Sequence, residues 1–191
     1  FTTWGMPQDF LRQLLGAIGL LDAGGQPLPE RLKAFFSISF DEALFKVYQA
    51  WFNSMTVNEL RLLEGLDFEG NWQNDPTAPR LVLSRLLKGL ESDTWWSISS
   101  LISAVKESDP DFQRPGGDYE SWFIREKDTD SFLHGFSSWE RVEGALLHWL
   151  LTGAFHWMGL VNLARGSADE EYTAFQIVPQ TRYLLTGEPP Q

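Results

Sequence analysis

The sequence predicts an α+β chain, mainly helical, in which a three-helix core with a β-hairpin is used twice, the first copy being incomplete. Three observations carry this. Residues 139–187 read in order as a helix, a turn with a short second helical piece, a two-stranded hairpin and a closing helix. A shorter version of that order, a hairpin and then a proline-led helix, occurs at 20–36. Apolar residues at helical spacing recur through most of the chain between these two stretches.

In the first copy, Leu11, Leu14, Leu15 and Ile18 repeat at helical spacing behind a cap expected at Asp9, and Gly19 ends the helix. Leu20 and Leu21 start a short strand, residues 22–25 turn, and residues 26–28 return. Pro29 opens a helix through Arg31, Leu32, Phe35 and Phe36, since its fixed φ suits a first helical turn. Asp41 is placed to cap the next helix, with Leu44, Val47, Tyr48 and Trp51 on its buried face. Residues 53–57 break that helix, and 58–63 add a further helical turn or two. Residues 64–79, rich in Gly, Asn, Asp and Pro, read as a linker between domains at 1–63 and 80–187. Residues 188–191 read as the start of another linker. The chain opens on Phe1, and its first copy lacks the helices that should precede the hairpin, so a piece of a longer protein is expected.

In the second copy, a helix over 80–91 sets Leu83, Leu86, Leu87 and Leu90 on one face. Ser97 caps another, in which Ile98, Leu101, Ile102 and Val105 repeat until Asp109 and Pro110 end it. Residues 110–137 form an insertion: 115–117 turn, and 122–124 and 131–133 are short strands around 127–130. Such a hairpin either serves a function or covers exposed core. Val142, Leu146, Trp149 and Leu150 define the buried face of helix 139–150, with Ser137 or Ser138 as cap and Glu140, Arg141, Gly144 and His148 opposite. Strands 160–164 and 173–178 flank a polar turn at 165–169. Pro179 then opens a helix holding Tyr183, Leu184 and Leu185, which Gly187 stops. No charged residue occurs between 144 and 164, a length that could span a membrane. His148, Thr152, His156, Asn162 and two glycines interrupt it, so the expectation is a buried helix running into a core strand.

Composition narrows the chemistry. Of 191 residues, 43% are hydrophobic and 14% aromatic, enough for a core, and cysteine is absent. There is therefore no disulfide framework and no thiolate nucleophile or zinc ligand, which fits a reducing, cytoplasmic setting. The net charge is −11 and the isoelectric point about 4.6. Nucleic-acid affinity rests largely on cations at phosphates, so a chain this acidic is repelled unless its basic residues gather on one face. No Gly-rich phosphate loop, HExxH or GxSxG occurs, and no enzyme, cofactor, metal or small-molecule substrate is expected. His148 and His156 read as core residues of an apolar helix, and Asp128 and Asp130 as an exposed turn lacking the glycine and closing glutamate of a calcium loop. Among nine tryptophans, Trp51, Trp95, Trp96, Trp149 and Trp157 fall within or beside apolar periodicity and read as core. Trp72 and Trp122, in loop-like stretches, are with Phe123 the candidates for a protein-interaction surface, against the alternative that they pack on the domain beneath.

Two stretches, SWERVEG at 138–144 and TGAFHWMGLV at 152–161, resemble a recurring signature when read with the hairpin and closing helix that follow. They are similar to the winged-helix superfamily, and more narrowly to tandem winged-helix segments of large bacterial proteins likened to the N-terminal region of the repair helicase XPB. The resemblance covers most of the chain, in two copies. For the superfamily it implies a DNA-binding ancestry, with the third helix in the major groove and the wing on the backbone; for the narrower group it implies no established activity. Candidate nucleic-acid contacts on this basis are Arg12, Arg141, His148 and Arg165. Yet helix 139–150 offers outward only Arg141 and His148, beside Glu140 and Glu143, and the wing sets Asp169, Glu170 and Glu171 against Arg165. The expected function is non-enzymatic docking to other segments of the parent protein or to a protein partner, with DNA binding as the alternative. A cluster of Arg12, Arg31, Lys33, Arg80, Arg85 and Lys88 on one face would favour DNA.

Overall fold

Mixed helix and strand patterning along the chain becomes two packing units in the computed structural model, which describes residues 5–186; one unit ends at Asn58 and the other begins at Glu59. In the first, helix α1 (Gln8–Ala17) buries Phe10 and Leu14. Pro7 holds the position before its first turn, so Asp9 lies inside that turn, where negative charge is favoured, and is no cap. Gly19 adopts φ 78°, a left-handed conformation suited to glycine, and ends the run. The short hairpin is reduced to one bridge, Leu21 to Pro27, closed by Asp22 Oδ1, which accepts from the backbone N–H groups of Gly24 at 2.8 Å and Gln26 at 2.9 Å. Helix α2 (Pro29–Phe36) starts on Pro29 as expected, and none of its residues is buried. Helix α3 (Phe40–Phe52) is capped by Ser39, whose Oγ accepts from Glu42 N–H at 3.2 Å; Asp41, the expected cap, lies two residues further on, inside the first turn. Tyr48 and Trp51 are buried on it, while Leu44 and Val47 are half-buried.

The second unit begins with a single helical turn, Glu59–Leu62, and then strand β1 (Leu66–Glu69). This corrects the linker expected over 64–79: Leu66 turns inward, and the strand pairs antiparallel with β3 (Phe123–Glu126), Leu66 opposite Glu126 and Glu69 opposite Phe123. The first unit ends at Asn58 and not at residue 63, and Glu59 is buried in a two-point ion pair with Arg80, 2.8 and 3.0 Å. Helix α4 (Thr77–Lys88) buries Val82, Leu83 and Leu87. Strand β2 (Trp95–Ser97) leads into α5 (Ile98–Ser108), where Ser97 Oγ accepts from Ser100 N–H at 3.2 Å as the spacing predicts. Ser97→Ala is expected to cost about 1 kcal/mol in urea unfolding, the usual loss of an N-cap. Strand β4 (Ser131–Phe132) completes a sheet ordered β1-β3-β4, so the predicted two-stranded insertion recruits a third strand from outside itself.

Residues 139–157 form one continuous helix, in which a regular turn, α6 (Ala145–Trp149), is flanked by wider π-type turns at Glu140–Gly144 and Leu150–Phe155. The expected turn after residue 150 is absent because burial favours continuing the helix: Leu146, Leu147, Leu150, Leu151, Ala154 and Phe155 are all 0% exposed. Gly153, taken as a break, admits the Trp157 ring; a Cβ there would lie 3.0 Å from it. The helix then delivers the chain through Gly159 into β5 (Val161–Ala164), as the uncharged run predicts. Among the described residues no helix is long and apolar enough to cross a membrane. Strand β6 (Ala174–Ile177) returns between β5 and β2, giving a second antiparallel sheet ordered β2-β6-β5, and α7 (Pro179–Thr186) closes the unit with Leu184 buried. Gly187 and the expected linker at 188–191 lie outside the described residues. The described residues are mixed α+β, with two small antiparallel sheets.

Candidate interaction surface

The insertion and the first turns of the long helix form one structure. Arg114, 2% exposed, donates from Nε to Glu143 Oε1 at 2.6 Å, and Gln113 Nε2 donates to the same oxygen at 3.2 Å. Glu143, expected outward, is 0% exposed. Burial pushes its carboxyl above the usual range, while the charge and hydrogen bonds of Arg114 and Gln113 pull the other way. Gly144, also expected outward, is buried, since the Trp139 ring lies 3.4 Å from where a Cβ would stand. Trp139 is anchored through Nε1 to Pro110 O at 2.9 Å, and the Tyr119 hydroxyl lies 2.6 Å from Asp111 Oδ1. Two further ion pairs reach the same turns: Lys106 to Glu140 at 2.8 Å and Glu126 to Arg141 at 2.9 Å. Every charged side chain at the start of the helix is thus held by a group from outside it.

Behind this contact runs a stack. The Arg61 guanidinium lies 3.8 Å above the Trp72 ring, Trp72 and Trp122 are parallel at 4.6 Å and 10°, and Arg114 lies 4.3 Å above Trp122. Trp122 is therefore core, 6% exposed, and the expectation of a surface role for it is corrected; Trp72 is half-buried. Neither cation was identified from sequence, because nothing local marks an arginine that will meet an aromatic from a distant segment.

Phe123 lies on the opposite side of β3 and is 49% exposed. Strand register places it on one outer face with Asp67, Glu69, Arg125 and Phe132. Phe132, 39% exposed, meets Phe123 edge to face at 6.2 Å, and the Arg125 guanidinium lies 4.5 Å above the Phe132 ring. Arg125 is fixed by Glu69 at 2.7 Å and Asp130 at 2.6 Å. Lys127 approaches Asp67 at 3.7 Å, and His134 approaches Glu120 at 3.6 Å. Alternation along residues 122–126 was the one signal that could have separated Phe123 from Trp122 and paired it with Arg125.

The candidate nucleic-acid contacts fall in both units. Arg12 is exposed in the first unit. Arg141 is paired with Glu126, and His148 is half-buried. Arg165 folds back on its own turn, donating to Glu170 O at 3.3 Å with its guanidinium 4.9 Å from the Tyr172 ring. Of the six basic residues whose clustering would favour DNA, Arg80 is 0% exposed and belongs to the core. Among the described residues, no group of three or more His, Asp or Glu side chains could hold a metal ion. No protein family, no curated protein and no solved structure matches this chain.

Proposed function

We propose that the second unit is a winged-helix scaffold turned from DNA to protein docking, working as a non-enzymatic recognition module of a larger protein. Its element order, α4, β2, α5, the long helix, β5 and β6, with sheet order β2-β6-β5, supports the scaffold, because a winged helix has the same succession of helices, strand and hairpin. The observation that carries the function is that each charged side chain at the start of the long helix is paired with a group from outside it. A helix that reads the major groove presents its N-terminal residues to base edges. Here Glu140, Arg141 and Glu143 are taken by Lys106, Glu126 and Arg114. The hairpin that would lie on the phosphates carries Asp169, Glu170 and Glu171, and the net charge of −11 opposes any polyanion.

Fluorescence anisotropy of labelled duplex and single-stranded DNA, at low and near-physiological salt, tests this reading. No saturation is expected even at low salt up to about 100 μM chain, the weak end of non-specific binding. Binding that weakens with added salt would show that cations gather on one surface, and the docking assignment would fall.

A further inference from the structure

We infer that the outer face of the β1-β3-β4 sheet, centred on Phe123, Arg125 and Phe132, docks a short segment of a partner protein in which aliphatic side chains are interspersed with Lys or Arg. The inference rests on the docking reading above and names the partner's chemistry. Its first support is that the face cannot turn inward. Leu66, Ile124 and Leu133, at 7%, 0% and 2% exposure, occupy the core side, so the pleat holds Phe123 and Phe132 outside. A lone exposed aromatic needs no explanation, but two in contact beside a fixed arginine have the composition of an interface centre.

The second support is rigidity. The two rings meet edge to face, and Arg125 is clamped by Glu69 and Asp130 over Phe132. Little side-chain freedom remains to be lost on binding, which is what separates an affinity-giving patch from an equally large soft one. The third support is charge. Asp67, Glu69, Glu120 and Asp130 rim the rings with side chains 59%, 50%, 73% and 78% exposed, against Arg125 and Lys127 as the cations. A cationic segment is attracted to that rim, and the long stems of Lys and Arg can reach it while aliphatic neighbours sit against the rings. The same carboxylates repel nucleic acid and anionic surfaces. They also oppose a second copy of this chain, because a two-fold contact would set like charges together.

Nuclear magnetic resonance titration of the 15N-labelled chain decides it, with a short capped lysine–leucine peptide and its glutamate–leucine counterpart as probes. The lysine peptide is expected to shift resonances within 66–69 and 123–134 in a saturable way, and the glutamate peptide to shift none there. Phe123→Ser with Phe132→Ser should weaken binding at least about tenfold, a hot-spot loss, while leaving the core spectrum intact. Asp67→Asn with Glu69→Gln, which leaves both rings in place, should weaken it and flatten its salt dependence. Absence of binding, binding centred on the acidic turn at 169–171, or unchanged affinity in the ring variant would each overturn the proposal. Duplex DNA added to the same sample separates the two levels. Shifts along the long helix with DNA would remove the docking reading itself, whereas a failed peptide titration without DNA shifts removes only the assignment of this face.

Discussion

Arg114→Met is expected to destabilise the second unit by about 3–5 kcal/mol near neutral pH, the range found when one partner of a buried ion pair is removed. The substitution leaves the Glu143 carboxylate, 0% exposed, with Gln113 as its remaining side-chain donor. The pair is already incompletely satisfied: Arg114 Nη1, Glu143 Oε2 and Gln113 Oε1 are buried without a hydrogen-bond partner. Replacing both charges, Arg114→Met with Glu143→Leu, should therefore recover most of the loss, because the desolvation of both ions disappears together. The pH dependence has a definite sign. Burial already holds the Glu143 carboxyl above its usual range against the pull of Arg114, and without Arg114 it rises further. Between the unfolded and folded values the native state binds the proton that the unfolded chain releases, so stability falls as pH rises through that window. Urea unfolding should show a smaller loss for Arg114→Met at about pH 5 than at about pH 7. Equal losses at the two pH values, or a double variant as unstable as the single one, would mean the pair is not the anchor of the insertion.

Trp122→Ala is expected to cost about 3–5 kcal/mol, the range for truncating a large buried aromatic. It empties the centre of the stack between Trp72 and Arg114 and so also weakens the guanidinium that pairs with Glu143. Phe123→Ser, one residue along, should cost less than about 1 kcal/mol, as substitutions at exposed positions do. Near-ultraviolet circular dichroism gives an independent readout, since the parallel Trp72–Trp122 contact at 4.6 Å is lost only in the first variant. Comparable losses at the two positions would contradict the strand alternation that sends one ring inward and the other out.

Much of the helical framework was legible. Ser97, Pro29 and Pro179 mark helix starts through their own backbone chemistry, and the helices they open stand where the spacing puts them. The insertion hairpin was legible for the same reason, two β-prone runs around a polar turn. Strand β1 was not. Its four residues include Asp67 and Glu69 and sit in a Gly- and Asn-rich stretch, so nothing local reads as a strand; it becomes one by pairing with β3, far along the chain. The run through Gly153 was misread as a break, because an isolated glycine normally weakens a helix, and only the buried neighbours on both sides show that it does not end this one.

The candidate site divides in the same way. Phe123 was marked by its aromatic neighbourhood, but Phe132, Arg125 and Glu69 join it through strand register. Arg80 and Glu143 read from the sequence as outward charges, since an isolated ion costs too much to bury, and nothing local singles out Arg114. Each is buried against a partner remote in sequence, Glu59 for Arg80 and the Arg114–Glu143 pair for the insertion. The Ser97 cap, the two proline-led starts and the turn of the insertion hairpin depend on residues within a few positions of one another, and those the sequence alone determined. Which charges go inside, and which aromatics stay out, depends on desolvation being offset by groups many residues away, and that balance was decided only when the tertiary structure brought them together.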